Sequence, residues 1–558
     1  MLLISIFILI MAIAINYKQV LNSYLFIRLG FIIFALTGAI SLNALYIQSI
    51  GSGMGIYSGL FQITSITQFF DLFIFTMGAL IFLAWPRCAL QSSRACFASA
   101  TDANADPRSA THASQALEDP SFAGSLKNYP REYSLVALIS TLGASLLISS
   151  SDLISLYLSI ELQSFGVYIL ATIYRNIGSA VSAGLKYFLL GSLSSCIILL
   201  GATIIYTYTG LTHFDSIYSF ITITENQSII QGISLGIVLM FIGFFFKIGA
   251  APLHNWSPDV YDGSPNIVTQ WLTIMPKISL LIIILDMYLN LGIIEYNVQI
   301  INSASSASQE AASAIPASQI LKNLILISSI ISLIIGSTVG LSQIRIKRLL
   351  AYSTISHLGF ILLAISINTE QSVESLIFYI IQYSLTNLNI FLIILAVGIL
   401  VHSSAKGIFA DIQYIDELKG LFFYNPILSI SLSICLFSMA GIPPLIGFFS
   451  KQFVLYAAIQ KGFYFISIIA IIVSVISASY YLNIIKILHL RPSSLNSNLK
   501  IKTCQDKARS CESGGEWNIN STHSFVISTL TLSILLFILK PSILLNSTAM
   551  LSLTFFHY

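Results

Sequence analysis

Apolar segments about twenty residues long recur along this chain, and a segment of that length crosses a bilayer as one helix. The segments lie near 1–15, 26–48, 66–86, 132–150, 153–174, 179–209, 229–256, 264–291, 321–342, 349–368, 373–401, 424–460, 463–488 and 524–545. Only 9% of the residues are charged, whereas soluble domains carry about 25%. The sequence therefore predicts an all-α polytopic membrane protein with about fourteen transmembrane helices.

Three polar interruptions, Arg87–Arg131, Ile293–Gln319 and His489–His523, separate the apolar segments. The first and third are predicted to be solvated loops. The first segment, Met1–Ile15, lacks both the charged start of a signal peptide and the Arg-rich pattern of a transit peptide, so we expect a transmembrane helix that is retained.

Composition also limits the chemistry. A net charge of +3 without a basic cluster gives no indication of nucleic-acid binding. None of the six cysteines forms a C-x-x-C pair; Cys196 and Cys435 lie in apolar segments and are expected to pack there. The other four lie in the first and third polar loops with a spacing that does not match known metal sites, so neither a metal site nor iron–sulfur ligation is expected.

Basic residues sort by loop. Loops after odd-numbered predicted helices hold 19 of the lysines and arginines, and the other loops hold three. Under the positive-inside rule, the odd loops face the cytoplasm or matrix and both termini face the other side.

Four lysines belong to no loop, and one glutamate likewise lies inside an apolar segment. These residues are Lys186, Lys247, Lys277, Lys451 and Glu161. A charge at the bilayer centre costs about 2.5–3.5 kcal/mol on insertion scales, so each position needs a reason. The structural alternatives are snorkelling to the interface, capping a broken helix or forming a static ion pair; the functional alternative is proton transfer.

Helix-breaking residues favour function at two of these lysines. Pro252 follows Lys247, and Gly441, Pro443 and Pro444 precede Lys451. Broken helices at paired positions of two halves mark the transport site of inverted-repeat transporters.

Lysine also suits proton transfer, because burial makes its neutral amine accessible. A glutamate that moved relative to a lysine would switch that lysine between holding and releasing a proton, and we hypothesise this role for Glu161.

Other polar residues leave alternatives open. His357 follows the basic stretch Arg345–Arg348 and is either a proton relay between lysine sites or a satisfied core histidine. Asp71 and Asp286 are expected near helix ends at the headgroups, and His254 at the interface. Tyr383, Ser384, Thr386 and Asn387 either hold water or bond between helices. The glycines at 51, 53 and 55 are expected in an interhelix turn, because no strand–turn–helix context of a dinucleotide loop surrounds them.

Three motifs carry a family resemblance. They are KIGAAPLHNWSPDVYDGSP at Lys247–Pro265, LSQIRIKRLLAYSTISHLGF at Leu341–Phe360 and MAGIPPLIGFFSK at Met439–Lys451. In this order they resemble the antiporter-like membrane subunits of respiratory complex I, over about 132–488.

The resemblance implies two inverted five-helix repeats, each containing one broken helix. The implied organisation is N-terminal helices 1–86, polar loop 87–131, first repeat 132–291, connecting loop 292–320, second repeat 321–488, polar loop 489–523 and C-terminal helix 524–558. Only one apolar helix, 524–545, is expected after the second repeat, in place of the long lateral helix of longer family members.

The resemblance also implies residue roles. Glu161 would pair with Lys247, Lys186 would be an additional lysine, Lys277 the central one and Lys451 the terminal one, which exchanges with the far side. With His357 as the possible relay, these six residues are the predicted proton-transfer site.

The implied enzyme oxidises NADH, reduces ubiquinone and pumps protons. No cofactor is expected in this chain; NADH, FMN, iron–sulfur clusters and ubiquinone would bind to other subunits. Expected partners are other membrane-arm and accessory subunits and lipids, in the mitochondrial inner membrane, with both termini in the intermembrane space. Two alternatives remain: a cation/proton antiporter subunit working without NADH, and a scaffold that conducts nothing.

Overall fold

The computed structural model describes residues 1–15, 23–47, 53–85, 132–174, 177–224, 226–304, 317–402, 411–490 and 521–556. The predicted loop 87–131, most of the loop 489–523 and the four loop cysteines lie outside these residues.

Helices make up almost all of the described chain. In chain order they are α1 (Leu2–Ile15), α2 (Ser23–Leu45), α3 (Ser65–Leu83), α4 (Glu132–Ile148), α5 (Leu153–Thr172), α6 (Gly178–Thr209), α7 (Phe214–Ile223), α8 (Gln227–Ile248), α9 (Trp256–Gly263), α10 (Asn266–Ala304), α11 (Ala317–Leu341), α12 (Ile346–Ile367), α13 (Glu370–His402), α14 (Leu421–Tyr424), α15 (Pro426–Ala440), α16 (Ile446–Gln460), α17 (Tyr464–His489), α18 (Ser521–Leu536) and α19 (Ser542–Phe556).

Eleven helices of the described residues are long and apolar enough to cross a membrane, and four shorter apolar helices accompany them. Large apolar side chains such as Leu158 and Phe465 remain 61% and 73% exposed on the outside of the bundle. A bilayer, which offers no hydrogen-bond partners, tolerates such a surface when the backbone is helical. The predicted polytopic all-α fold is confirmed, while the count of fourteen stays a prediction.

Two predicted spans are broken at glycine. α8 ends at Ile248 and is followed by Gly249 with φ +80°, and α15 ends at Ala440 and is followed by Gly441 with φ +87°. These left-handed conformations are favourable for glycine and close the last helical turn. The prolines that follow prevent the helices from resuming at once.

Two sequence expectations were wrong about helix extent. The C-terminal region holds two helices and not one, because α18 ends at Leu536 and α19 begins at Ser542, just after Pro541, which has no N–H to donate. The connection expected from residue 292 is helical as far as Ala304, as a continuation of α10.

The glycine-rich connection between α2 and α3 was expected to be a simple turn, but it contains a β-hairpin. Strand β1 (Met54–Ile56) pairs antiparallel with β2 (Phe61–Ile63). The N–H of Gln62 donates to the carbonyl of Ser149 at 2.7 Å, so the hairpin is bonded to the turn between α4 and α5.

The pairs α4–α5 and α11–α12 share a packing detail. A Cβ added to Gly143 would lie 2.6 Å from the backbone nitrogen of Gln163, and a Cβ added to Gly336 would lie 2.6 Å from that of Ser356. Both the glycines and their partners are offset by 193 residues. This correspondence supports the predicted pair of repeats.

The two pairs run in opposite directions. α5 begins beside the hairpin, where the N–H of Ser151 donates to Leu60 O at 3.2 Å, and it leads into α6. α9 packs on the first turns of α6 at Gly263. α12 begins beside α9, where Arg345 contacts Asp262 at 2.6 Å. We call the end of the bundle with β1–β2 the hairpin face, and the end with α9 and the start of α12 the ion-pair face.

Candidate functional site

Glu161 and Lys247 meet inside the bundle. Lys247 lies in the last turn of α8, directly before the break, and is 6% exposed. Its Nζ is 3.9 Å from Glu161 Oε1 and donates to the hydroxyl of Tyr168 at 3.1 Å. The carboxylate distance exceeds hydrogen-bond length, so the pair is held by charge attraction and a small movement changes its strength.

Lys277 lies on α10, one residue after Pro276, and is 3% exposed. Its Nζ donates to Thr354 Oγ1 at 3.2 Å and lies 5.5 Å from the ring centre of Tyr261. With the 193-residue offset, Thr354 in the second repeat stands where Glu161 stands in the first. A lysine therefore contacts this position in both repeats, with a neutral hydroxyl replacing the carboxylate in the second.

A direct hydrogen bond connects the helices of these two lysine sites. Gln163 on α5 donates through Nε2 to Ser279 Oγ on α10 at 2.8 Å. These residues follow Glu161 and Lys277 by two positions each, so movement of α5 reaches α10 directly.

His357 is 3% exposed at the centre of the second repeat. Its Nδ1 is 2.6 Å from the hydroxyl of Tyr379, and its Nε2 is 3.3 Å from that of Tyr481. Both ring nitrogens therefore have partners, as a satisfied core histidine requires. The same two bonds would let the ring pass a proton from one side to the other, so the relay role stays a prediction.

One face of α12 lies between two lysines. Thr354, His357 and Phe360 follow one another at intervals of three, so they lie on one face of the helix. Thr354 contacts Lys277, and Lys451 Nζ lies 5.7 Å from the ring centre of Phe360. This face joins the central and terminal lysines.

Lys451 is 7% exposed and caps the broken helix α15. Its Nζ donates to Met439 O at 2.8 Å and to Ala440 O at 3.0 Å. Carbonyls at a helix end lack intrahelical partners, so the ammonium satisfies them. A Cβ at Gly441 would lie 3.1 Å from Lys451 Cδ. Lys451 therefore caps a broken helix, as one of the structural alternatives describes. Its role in proton transfer stays a prediction.

Lys186 is not a buried lysine, and that expectation was wrong. Its side chain is 56% exposed, and its Nζ is 3.0 Å from Asp259 Oδ2. The neighbouring Leu185 and Leu189 are 56% and 57% exposed, so this face of α6 points out of the bundle. Its role in proton transfer stays a prediction.

Charged residues at the ion-pair face were missed by the sequence reasoning. Asp262 contacts Arg345 at 2.6 Å and Arg348 at 3.1 Å. Its hydrogen bond and charge raise the pKa of Arg345. Asp411 contacts Lys347 at 2.7 Å, and Lys347 is 4% exposed. Asp259 and Asp262 lie in the first sequence motif, and the cations lie in the second, so the two motifs meet in space.

One carboxylate oxygen of Asp71 and the ring of His254 are buried, and Asp286 is half-buried. Asp71 is in the second turn of α3, and its Oδ1 is buried without a hydrogen-bond partner among the described residues. Asp286 lies inside α10, four residues before Asn290, and the helix continues to Ala304. His254 lies in the first break and is 8% exposed, with its ring centre 6.2 Å from that of Tyr352.

Ser384, Thr386 and Asn387 on α13 form hydrogen bonds with other protein atoms. Asn387 Nδ2 donates to the Tyr383 hydroxyl at 3.3 Å, and Ser384 Oγ donates to Ile381 O. Thr386 Oγ1 lies 3.3 Å from Met439 Sδ on α15. Thr386 therefore makes the contact between helices that one sequence alternative described.

A family described as NADH:quinone oxidoreductase/Mrp antiporter, transmembrane, matches residues 150–477. The chain belongs to this family. NADH-ubiquinone oxidoreductase chain 2 of Rhizopus oryzae is 46% identical, over 100% of both chains. NADH-quinone oxidoreductase subunit N 1 of Rhizobium meliloti is 38% identical, over 64% of this chain and 68% of its own. The resemblance inferred from the three motifs is confirmed.

The family fold is also found among solved structures. A chain of respiratory complex I from Thermus thermophilus superposes with a TM-score of 0.66 at 22% identity, covering 98% of this chain and 99% of its own. At this identity the likeness concerns the fold alone.

Proposed function

We propose that this chain is a proton-translocating membrane-arm subunit of respiratory NADH:ubiquinone oxidoreductase, of the chain 2 type. The observation that carries the proposal is the set of buried lysines, each held at a break or on the α12 face, in a chain 46% identical to a chain 2 relative over its full length. Buried ionisable groups in apolar helices are costly and mark ion pathways.

The proposed pathway runs along the middle of the bundle. It begins at Glu161 and Lys247, continues through Lys277 and Thr354, and passes His357 to reach Lys451. Movement of Glu161 relative to Lys247 changes the attraction that holds a proton on the amine, because the two atoms at 3.9 Å are not locked by a hydrogen bond. Lysine amines suit this role because burial brings the neutral form within reach.

Redox chemistry belongs to other subunits in this proposal. NADH, FMN, iron–sulfur clusters and ubiquinone would bind there, and this chain would contribute proton transfer and contacts with membrane-arm subunits, accessory subunits and lipids. It would reside in the mitochondrial inner membrane. By the positive-inside rule, the cations Arg345, Lys347 and Arg348 favour an orientation in which the ion-pair face is towards the matrix and the N-terminus is in the intermembrane space. The prediction of the C-terminus on that same side assumed a single helix after the second repeat, whereas α19 follows α18.

The test uses the assembled complex in liposomes, with protons translocated per NADH oxidised as the readout. Glu161→Gln and Lys247→Ala are expected to lower this ratio. Lys486→Ala, which removes an exposed lysine near the end of α17, is the matched control and is expected to leave it unchanged. Full quinone reduction and an unchanged ratio in both site variants would sink the proposal and favour a scaffold.

A cation/proton antiporter subunit is the second candidate, because the family description includes Mrp antiporters. Migration on a native gel distinguishes the two candidates. Co-migration of this chain with flavin-linked NADH oxidation supports the complex I subunit, and separation from that activity supports the antiporter.

A further inference from the structure

α13 and α16 form an antiparallel seam that runs from Lys451 towards the hairpin face. Near Lys451, Ser450 Oγ on α16 donates to Gln382 Oε1 on α13 at 3.4 Å. One turn closer to the hairpin face, the ring centres of Phe378 and Phe453 are 5.6 Å apart. The register of these contacts fixes which residues face one another along the seam.

A cavity opens where the seam reaches the hairpin face. Its volume is about 380 Å³, and it is lined by Thr369, Glu370, Gln371, Ala457, Gln460 and Lys461. This space is far larger than the minimum that a single water molecule needs. We call it the mouth. Its lining is polar at both helix ends, so water can fill it.

Met439 and Thr386 lie between Lys451 and the inner end of the seam. Lys451 Nζ donates to Met439 O at 2.8 Å, and Met439 Sδ lies 3.3 Å from Thr386 Oγ1. Gln382 Nε2 lies 3.4 Å from the same hydroxyl. Only the residues Met439 and Thr386 therefore separate Lys451 from Gln382 along this series of contacts.

Glu374 lies between the mouth and the aromatic pair. It follows Glu370 by four residues and precedes Phe378 by four, so all three lie on one face of α13. Glu370 is exposed at the mouth, Glu374 is half-buried and Phe378 is 1% exposed. This glutamate is the last titratable side chain on that face before the apolar barrier.

Four phenylalanines form the barrier. Phe537, in the turn after α18, lies 5.6 Å from Phe378 and 5.7 Å from Phe449, and Phe449 lies 6.5 Å from Phe453, measured between ring centres. A constriction lined by rings offers water no hydrogen bonds, so it stays dry until the rings separate.

We propose that this seam is the outlet of Lys451, with the Phe378–Phe453 pair as a hydrophobic gate and Glu374 as the proton-transfer residue outside it. When the rings separate, water enters between Gln382 and Glu374. The Lys451 ammonium then loses a proton, which passes through that water to the Glu374 carboxylate and leaves through the mouth. This outlet rests on the proposed function, because it requires Lys451 to carry protons.

Proton leak tests the gate. In liposomes containing the complex without NADH, Phe378→Ala is expected to speed the collapse of an imposed pH gradient about tenfold, equivalent to about 1.4 kcal/mol off a barrier. Phe391→Ala is the matched control, because this phenylalanine is equally buried on the same helix but lies beyond Gln382. If Phe378→Ala does not assemble, Phe453→Leu is the milder variant. A leak no faster than that of the control overturns the gate.

Thiol labelling locates the route. A membrane-impermeant reagent added on the hairpin side is expected to label Lys461→Cys, and to label Gln382→Cys only when Phe378→Ala is also present. The chain without an added cysteine gives the background. Equal protection of Gln382→Cys with and without Phe378→Ala overturns the outlet.

The ratio of protons translocated to NADH oxidised distinguishes a failure of this inference from a failure of the proposed function. Glu374→Gln is expected to lower protons per NADH with quinone reduction retained, whereas Asp416→Asn, at an exposed acidic residue outside the outlet, is expected to change little. If Glu374→Gln leaves the ratio intact while Lys451→Ala lowers it, the outlet is wrong and the proposed function stands. If Lys451→Ala itself leaves the ratio intact, the proposed function fails as well.

Discussion

The contact between α4 and α5 leaves no room for a side chain at Gly143. A Cβ there would lie 2.6 Å from the nitrogen and 2.9 Å from the Cα of Gln163, both backbone atoms. Ordinary contacts of a Cβ begin at 3.4 Å, so Gly143→Ala must push the helices about 1 Å apart. Overpacking of this kind costs about 1–3 kcal/mol.

The same displacement affects the site. Gln163 donates to Ser279 on α10, and Glu161 is two residues away on the same helix. We therefore expect Gly143→Ala to lower both the amount of assembled complex on a native gel and the protons translocated per NADH.

Gly178→Ala is the matched control. This glycine begins α6, and no heavy atom outside its own neighbours lies within 4 Å of an added Cβ. The substitution is expected to be neutral or to stabilise by up to about 1 kcal/mol. Gly336→Ala should behave like Gly143→Ala, because its Cβ would meet the backbone of α12 at the same 2.6 Å. If Gly143→Ala assembles as well as Gly178→Ala, the reasoning from this contact is refuted.

Two further predictions concern charge and the histidine. Asp411→Asn leaves Lys347 buried without its charged partner, so it should destabilise the folded chain by about 3–5 kcal/mol. Asp259→Asn removes an exposed ion pair and should destabilise it by less than about 1 kcal/mol. The yields of assembled complex on a native gel after mild heating compare the two variants, and equal losses would contradict the argument from burial. Tyr379→Phe removes the 2.6 Å bond to His357 and should lower protons per NADH with quinone reduction retained; an unchanged ratio would favour the core-histidine alternative.

The sequence alone indicated most of the apolar helices and the two broken ones. Apolar length gave most of the spans, and the glycines with following prolines at 249–252 and 441–444 located both breaks, because these signals act on the local backbone. Pro541 carried the same kind of signal for the C-terminal break, and an expectation based on apolar length overlooked it. The three motifs also led to the correct family.

Tertiary structure decided which face of each helix meets protein. Lys186 and Lys277 look alike in the sequence, as lone lysines in apolar segments, yet one is 56% exposed at its side chain and the other is buried against Thr354, 77 residues away. Lipid is as apolar as the interior of the bundle, so hydrophobic pattern cannot distinguish the two environments. Only the packing of distant helices determined which lysine joins the interior path and which one pairs with Asp259 at the outer surface.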